Sequence, residues 1–183
     1  MRIITGKARG LKLTSPKDYN VRPTSDRVKE SLFSILAGKI SESRILDAFA
    51  GTGNLGLEAW SRGAEQVVFI DENITSLKLV KTNIAKARAE NEVKIIKGNA
   101  LNIIETLYKK GEKFDIIFSD PPYDKGLNEK IYKKLLDNPI LKSGGTLVLE
   151  HSAGENPLEY IRADEKIRTQ KYGDTGISLI IWK

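Results

Sequence analysis

The chain of 183 residues contains no cysteine, which removes disulfide scaffolds, thiolate nucleophiles and cysteine-bound zinc or iron-sulfur centres together. Histidine occurs once, as His151, so a histidine-rich metal site and a Ser-His-Asp triad with a histidine to spare are also out. No metal is expected. No apolar run approaches the roughly 20 residues needed to cross a bilayer, and the opening MRIITGKARG lacks the continuous apolar stretch of a secretory signal. The expectation is a protein of a reducing, cytoplasmic interior with no membrane partner. A 40% hydrophobic and 30% charged composition excludes a disordered tail and a collagen-like fibre. The length suits one domain over residues 1–183.

Charge is present but unevenly spread. Arg2, Lys7, Arg9, Lys12, Lys17, Arg22, Arg27 and Lys29 face only Asp18, Asp26 and Glu30 in the first thirty residues, a local net of +5 within a total of +6. A basic segment beside a nearly neutral body suits a protein that meets a polyanion at one end. A solvated basic surface explains the same charge equally well.

RIITGKARGLKLTSP sets Gly6 and Gly10 between two short β-type runs and ends at Pro16, which predicts a small hairpin or extended arm over residues 1–24, an appendage of the one domain. RPTSDRVKESLFSIL follows as a helix, capped by Thr24 or Ser25, with Val28, Leu32, Phe33, Ile35 and Leu36 on one face. Beyond Arg44, short apolar runs alternate with helical patterns. Strands are expected at 45–50, 66–71, 93–98, 114–120 and 144–151, with helices between them, and this alternation implies parallel strands in a doubly wound α/β sheet. KIRTQKY and GISLIIW, separated by Gly173 and Asp174, break the alternation and predict a closing antiparallel hairpin.

The first glycine turn, AGTGNLG, follows a strand and opens a helix, and Asp71 stands 20 residues beyond Gly51 at the end of the second strand. Gly51, Gly53 and Gly56 let backbone approach a ligand, and Asp71 can accept hydrogen bonds from two ribose hydroxyls. NAD, FAD and S-adenosylmethionine all satisfy this pattern, although only the first two need a helix N-terminus for a pyrophosphate. Asp47, at the end of the first strand, disfavours a pyrophosphate and suits a ligand carrying an ammonium group.

Asp120-Pro121-Pro122-Tyr123 falls at the end of the fourth strand, where open α/β sheets bind ligands. The prolines end the ladder and turn the carbonyls of Asp120 and Pro121 into acceptors for a cleft. An exocyclic amine on a nucleobase is a poor nucleophile because its lone pair is delocalised into the ring. Acceptors that hold both N–H groups out of plane localise that pair, and Tyr123 offers a face for a flipped base.

The stretches MRIITGKARG, RPTSDRVKESLFSIL, DAFAGTGNLGLEAWSRGA, SDPPY, LEHS and KYGDTGIS, in this order, resemble the RsmD family, which makes N2-methylguanosine in 16S ribosomal RNA. The resemblance runs over essentially the whole chain. It implies a Rossmann-like class I methyltransferase fold with a doubly wound, mostly parallel seven-stranded sheet, a C-terminal antiparallel hairpin and a small N-terminal β arm. It also implies S-adenosyl-L-methionine as cofactor, with Asp47, Gly51 and Gly53 beside its methionine part, Asp71 on the ribose and the Asn99-Ala100 pair on the adenine. Asn99 departs from the family pattern, which has Asp there. Asp120 and the Pro121 carbonyl, with Pro122 completing the turn, would hold the guanine amine, and Tyr123 would stack on its ring. Arg2, Lys7, Arg9, Lys12, Arg22, Thr24, Ser25 and Arg27 would engage the RNA. The partner is 16S rRNA or the small ribosomal subunit, and a monomer is the simplest state.

Alternatives are an adenine-N6 methyltransferase on RNA or DNA, an NAD(P)-dependent oxidoreductase, which leaves Asp120-Pro121-Pro122-Tyr123 unexplained, and a ribosome-assembly factor that binds rRNA without turnover. His151, Tyr172 and Asp174 read as structural.

Overall fold

The computed structural model describes residues 1–16, 26–122 and 126–183. Tyr123 and the proposed Arg22, Thr24 and Ser25 contacts lie outside the described residues. Seven strands, β1 (Arg44–Asp47), β2 (Gln66–Asp71), β3 (Val93–Lys97), β4 (Phe114–Ser119), β5 (Leu141–Ser152), β6 (Lys166–Tyr172) and β7 (Thr175–Ile181), form one mixed sheet in the order β3-β2-β1-β4-β5-β7-β6. β1 to β5 are mutually parallel, and β7 runs antiparallel to both β5 and β6. This is the doubly wound fold with the closing hairpin read from the sequence.

Strand burial follows the predicted pattern. β1, β2 and β4 are near-continuous apolar runs covered on both faces, as parallel strands between helices must be. On one face Ile45, Val67, Phe69, Ile116 and Phe118 pack with Leu32, Phe33, Leu57 and Val80 from α1 (Asp26–Ile35), α2 (Asn54–Ser61) and α3 (Ile74–Ala87). On the other, Leu46, Val68, Ile70, Ile117 and Leu147 pack with Ile104, Ile131 and Leu135 from α4 (Ala100–Lys109) and α5 (Leu127–Asp137). β1 is shorter than its apolar run because the chain turns after Asp47, although Ala48 N–H still donates to Phe118 O and Ala50 N–H to Ile70 O. β5 begins three residues earlier than predicted, since a register shift lets Leu141 pair with Phe114 and Thr146 with Ile116.

The N-terminal arm is a loop stapled on itself rather than a ribbon. One antiparallel bridge joins Arg2 to Lys12, with Ile3 N–H donating to Leu11 O and Gly10 N–H donating to Ile3 O. Gly6 at φ 90 and Gly10 at φ 84 supply the left-handed turns. A Cβ on Gly6 would sit 1.8 Å from Ser61 O, so the arm presses directly on the end of α2. Ile3 and Leu13 are buried in the same core as α1.

Candidate active site at the carboxyl ends of β1, β2 and β4

β1 and β4 are neighbours although three strands apart in sequence terms, so the order reverses between them and their loops diverge. That is the topological switch point where doubly wound sheets bind ligands. Three loops meet there, after β1, β2 and β4.

In the loop after β1, Gly51 holds φ 54 and Gly53 holds φ 81, a region L side chains adopt at a cost. A Cβ on Gly51 would point into open space, whereas one on Gly56 would come 2.2 Å from the Phe69 ring. Gly51 therefore serves the loop's conformation and leaves its surface open, and Gly56 allows α2 to lie against β2. Gly53 caps α2 without a side chain. Its missing cap is replaced by Asp47, whose Oδ2 accepts from Gly56 N–H at 3.0 Å.

Asp47 is buried at the end of β1, and its carboxyl is pushed up to about 7, by burial first and then by the nearby Asp71 charge, against the backbone donors Gly56 and Phe49. Asp71 is the clasp between two loops. Its Oδ2 accepts from Gly51 N–H at 2.8 Å and its Oδ1 from Asn73 N–H at 2.8 Å. Each oxygen keeps a lone pair for a further donor. Asn73 in turn caps α3, accepting from Thr75 and Ser76 N–H.

Asn99, after β3, caps α4 by accepting from Leu101 N–H at 3.1 Å and donates to Glu72 Oε2 at 3.2 Å. Its side chain thus ties the β3 loop to the β2 loop, and Ala100 is the buried first residue of α4. This N-cap role was missed, although Asn just before an apolar helical run is a start signal.

Asp120 is half-buried directly after β4, Pro121 is buried and Pro122 exposed. Beneath them Ser119 Oγ donates to Asn128 Oδ1 at 2.8 Å, and Asn128 Nδ2 donates to Glu150 O at 2.9 Å. Asn128 lies on the buried face of α5 with Ile131, Tyr132 and Leu135, and only its polarity on that apolar face could have flagged it. His151 is fully buried, its Nδ1 beside Ser152 O at 2.8 Å and its Nε2 beside Ser178 Oγ at 2.9 Å, a structural role as expected.

The basic residues are placed less uniformly. Arg2 pairs with Asp26 at 3.2 Å, and Lys7 pairs with Glu92 and lies 4.1 Å over the Trp60 ring. Arg9, Lys12 and Arg27 are exposed. Under the arm, Lys29 and Glu58 form a fully buried ion pair at 3.2 Å. Lys29 lies on the buried face of α1 with Val28, Leu32 and Phe33, and in sequence it looks like any solvated cation of an amphipathic helix.

Among the described residues there is no acid or histidine cluster able to hold a metal, and no helix is long and apolar enough to cross a membrane. The donor set fits S-adenosylmethionine: an acid with spare lone pairs ends β2, an open glycine turn follows β1, and a buried carboxyl lies beside it.

Residues 1–181 match the family described as Conserved hypothetical protein 95. The chain is 39% identical over 172 residues to ribosomal RNA small subunit methyltransferase D of Escherichia coli, covering 93% of this chain and 84% of that one. Identity to the protein of the same name from Haemophilus influenzae is 36% over 151 residues, or 82% of this chain and 78% of that one. A solved structure of the candidate methyltransferase yhhF from Escherichia coli superposes with a TM-score of 0.88 at 34% identity, covering 100% of this chain and 98% of the other. More distant methyltransferases at 14–19% identity share the fold alone, among them a TrmN from Thermus thermophilus at a TM-score of 0.67. With the class I methyltransferase fold and a match spanning its length, the chain belongs to the Conserved hypothetical protein 95 family, the RsmD family.

Proposed function

We propose that the protein transfers a methyl group from S-adenosylmethionine to the exocyclic 2-amino group of a guanine in 16S ribosomal RNA. The observation that carries this reading is the Asp120-Pro121 turn at the end of β4, next to the glycine turn of β1, in a chain of the RsmD family. The relatives' activity on small-subunit rRNA supports the substrate class.

When bound, the sulfonium donor supplies an electrophilic methyl with a good leaving group. The chain's own part is alignment. Asp71 accepts from the ribose hydroxyls, the Asn99-Ala100 pair borders the adenine, and Asp47 with Gly51 and Gly53 lines the methionine end. The Asp120 carboxylate and Pro121 carbonyl accept from the two N–H groups of the guanine amine, which localises its lone pair and aims it at the methyl. The amine nitrogen then carries an excess, strongly acidic proton, which Asp120 or water accepts. Pro122 stiffens the turn, and Tyr123 stacks on the flipped base. Arg2, Lys7, Arg9, Lys12, Arg22, Thr24, Ser25 and Arg27 hold RNA near the cleft. A cytoplasmic monomer of one domain suffices for this chemistry.

The test is methyl transfer from labelled S-adenosylmethionine to small ribosomal subunits lacking the modification, followed by nucleoside analysis. N2-methylguanosine is the expected product. N6-methyladenosine would select adenine as the target, and tight cofactor binding without incorporation would favour a binding-only assembly factor.

A further inference from the structure

We propose that the solvent face of α3, with the N-terminal arm beside its C-terminal end, is a phosphate track that carries the RNA strand flanking the target base away from the active site. The proposal rests on the rRNA reading above and adds an element that the basic N-terminal segment does not include.

Three observations carry it. First, α3 and its cap bear Lys78, Lys81, Lys86 and Arg88, and no acid occurs between Asn73 and Ala89. All four cations are exposed, and none makes an ion pair among the described residues. The opposite face of the sheet is different: Lys109 and Lys134 pair with Glu105, Lys133 with Glu129 and Lys142 with Asp115. On the α4 and α5 side Lys109, Lys133, Lys134 and Lys142 are paired and Lys110 and Lys130 are not, whereas along α3 no cation is paired among the described residues.

Second, the C-terminal end of α3 and the arm enclose an open groove of about 310 Å³ lined by Lys7, Arg9, Leu11, Lys86 and Arg88. Lys86 Nζ donates to Thr14 Oγ1 at 2.7 Å, so helix and arm form one surface. The cap residue Arg88 holds φ 59, a left-handed position at which helices ordinarily place glycine. The chain carries a cation where backbone preference asks for no side chain.

Third, the track starts at the site. α3 is capped by Asn73, two residues after Asp71, and runs 14 residues to Ala87, about 21 Å along its axis. Lys78 and Lys86, two helical turns apart, share its outer face. A strand whose base is held at Asp120, across β1 from β2, passes over the loops after β1 and β2 and then meets cations at the pitch of the helix down to the groove. An acidic protein partner fits less well, because interface cores are aromatic and depleted in lysine, and Ile74 is the one large exposed hydrophobic on α3 among the described residues.

The experiment compares Lys78→Glu/Arg88→Glu with a control of equal charge change on the other face, Lys110→Glu/Lys130→Glu. Both use small ribosomal subunits lacking the modification as the RNA in a salt titration, with S-adenosylmethionine affinity as the check on folding. The α3 variant should bind RNA at least about tenfold more weakly, with a salt slope reduced by about 2, one per lost phosphate contact. The control should keep most of both, and cofactor affinity should be unchanged in each. An α3 variant with wild-type slope and affinity overturns the track while leaving the methyltransferase reading intact. Equal losses in both variants overturn it in favour of a net-charge effect. Wild-type protein that neither binds nor methylates those subunits overturns the substrate reading and the track together. Intact RNA affinity with lost binding to an acidic ribosomal protein assigns the surface to that partner instead.

Discussion

Asp47 serves the fold directly, accepting from Gly56 N–H in the first turn of α2. Burial raises it to about 7 from 3.8, so the folded protein keeps a proton there that the unfolded chain has already released. Stability therefore declines as pH rises from about 4 to about 7, by roughly 4 kcal/mol for this group, and is level above that. Binding of an ammonium-bearing ligand should run the opposite way, weakening toward tenfold for each unit of pH below about 7 and flat above it. Asp47→Asn, which can still accept from Gly56 N–H, should be more stable at pH 8 and lose the pH dependence of cofactor affinity. Titrations of unfolding and of cofactor binding across pH check both signs. At Asp120, replacement by Ala should cut methyl transfer by at least about 10²-fold with cofactor affinity retained. Unchanged turnover would remove Asp120 from the chemistry. The two motif glycines should separate cleanly: Gly56→Ala meets the Phe69 ring at 2.2 Å and should cost about 1–3 kcal/mol in urea unfolding, whereas Gly51→Ala has open space and should cost only about 1 kcal/mol of backbone strain.

Between elements, the site depends on polar ties buried under it. Asn128 joins the end of β4 to the end of β5 through Ser119 and the Glu150 carbonyl. Asn128→Leu should lose about 1–3 kcal/mol of stability because the buried Ser119 hydroxyl and Glu150 carbonyl each lose the bond to its amide. Its specific signature as a positioning residue is a lower kcat at unchanged cofactor affinity, since the Asp120 turn hangs from the end of that strand. The second tie docks the arm. Glu58 accepts from Ile4 N–H at 2.7 Å, Thr5 N–H at 3.1 Å and Arg62 Nε at 2.7 Å, while Lys29 donates to Arg2 O at 2.6 Å and Asn54 Oδ1 at 2.7 Å. Burial pushes the Lys29 ammonium down, against the pull of Glu58. Removing one partner strands the other, so Glu58→Ala should cost about 3–5 kcal/mol, read as a lower urea midpoint. Helix and strand order was legible because apolar runs of five or six residues between helical periods have few other readings. These ties were not, since Asn128, Lys29 and Glu58 look in sequence like ordinary polar residues of amphipathic helices.

For the molecule as a whole, charge is sorted by face. If the arm meets RNA, Arg9→Ala with Lys12→Ala should lower RNA affinity and flatten its salt dependence, because both are exposed and make no ion pair among the described residues. Arg2 and Lys7 should matter less per charge, since each already has a carboxylate partner. The basic bias of the first thirty residues was visible in the sequence, but not which cations are already spent on acids far along the chain.

The sequence by itself determined the doubly wound sheet, the closing hairpin and the location of the candidate site, because periodicity and turn residues are local properties and a glycine turn after a buried strand has one place to go. It also carried the family, through motifs whose spacing is read along the chain. Only the tertiary structure decided that Asp47 caps α2, that Asp71 clasps two loops, that Lys29 is buried against Glu58 and that the cations of α3 make no ion pair among the described residues. Those facts depend on which residues of separate elements meet, and that proximity is a property of the packed sheet rather than of any segment.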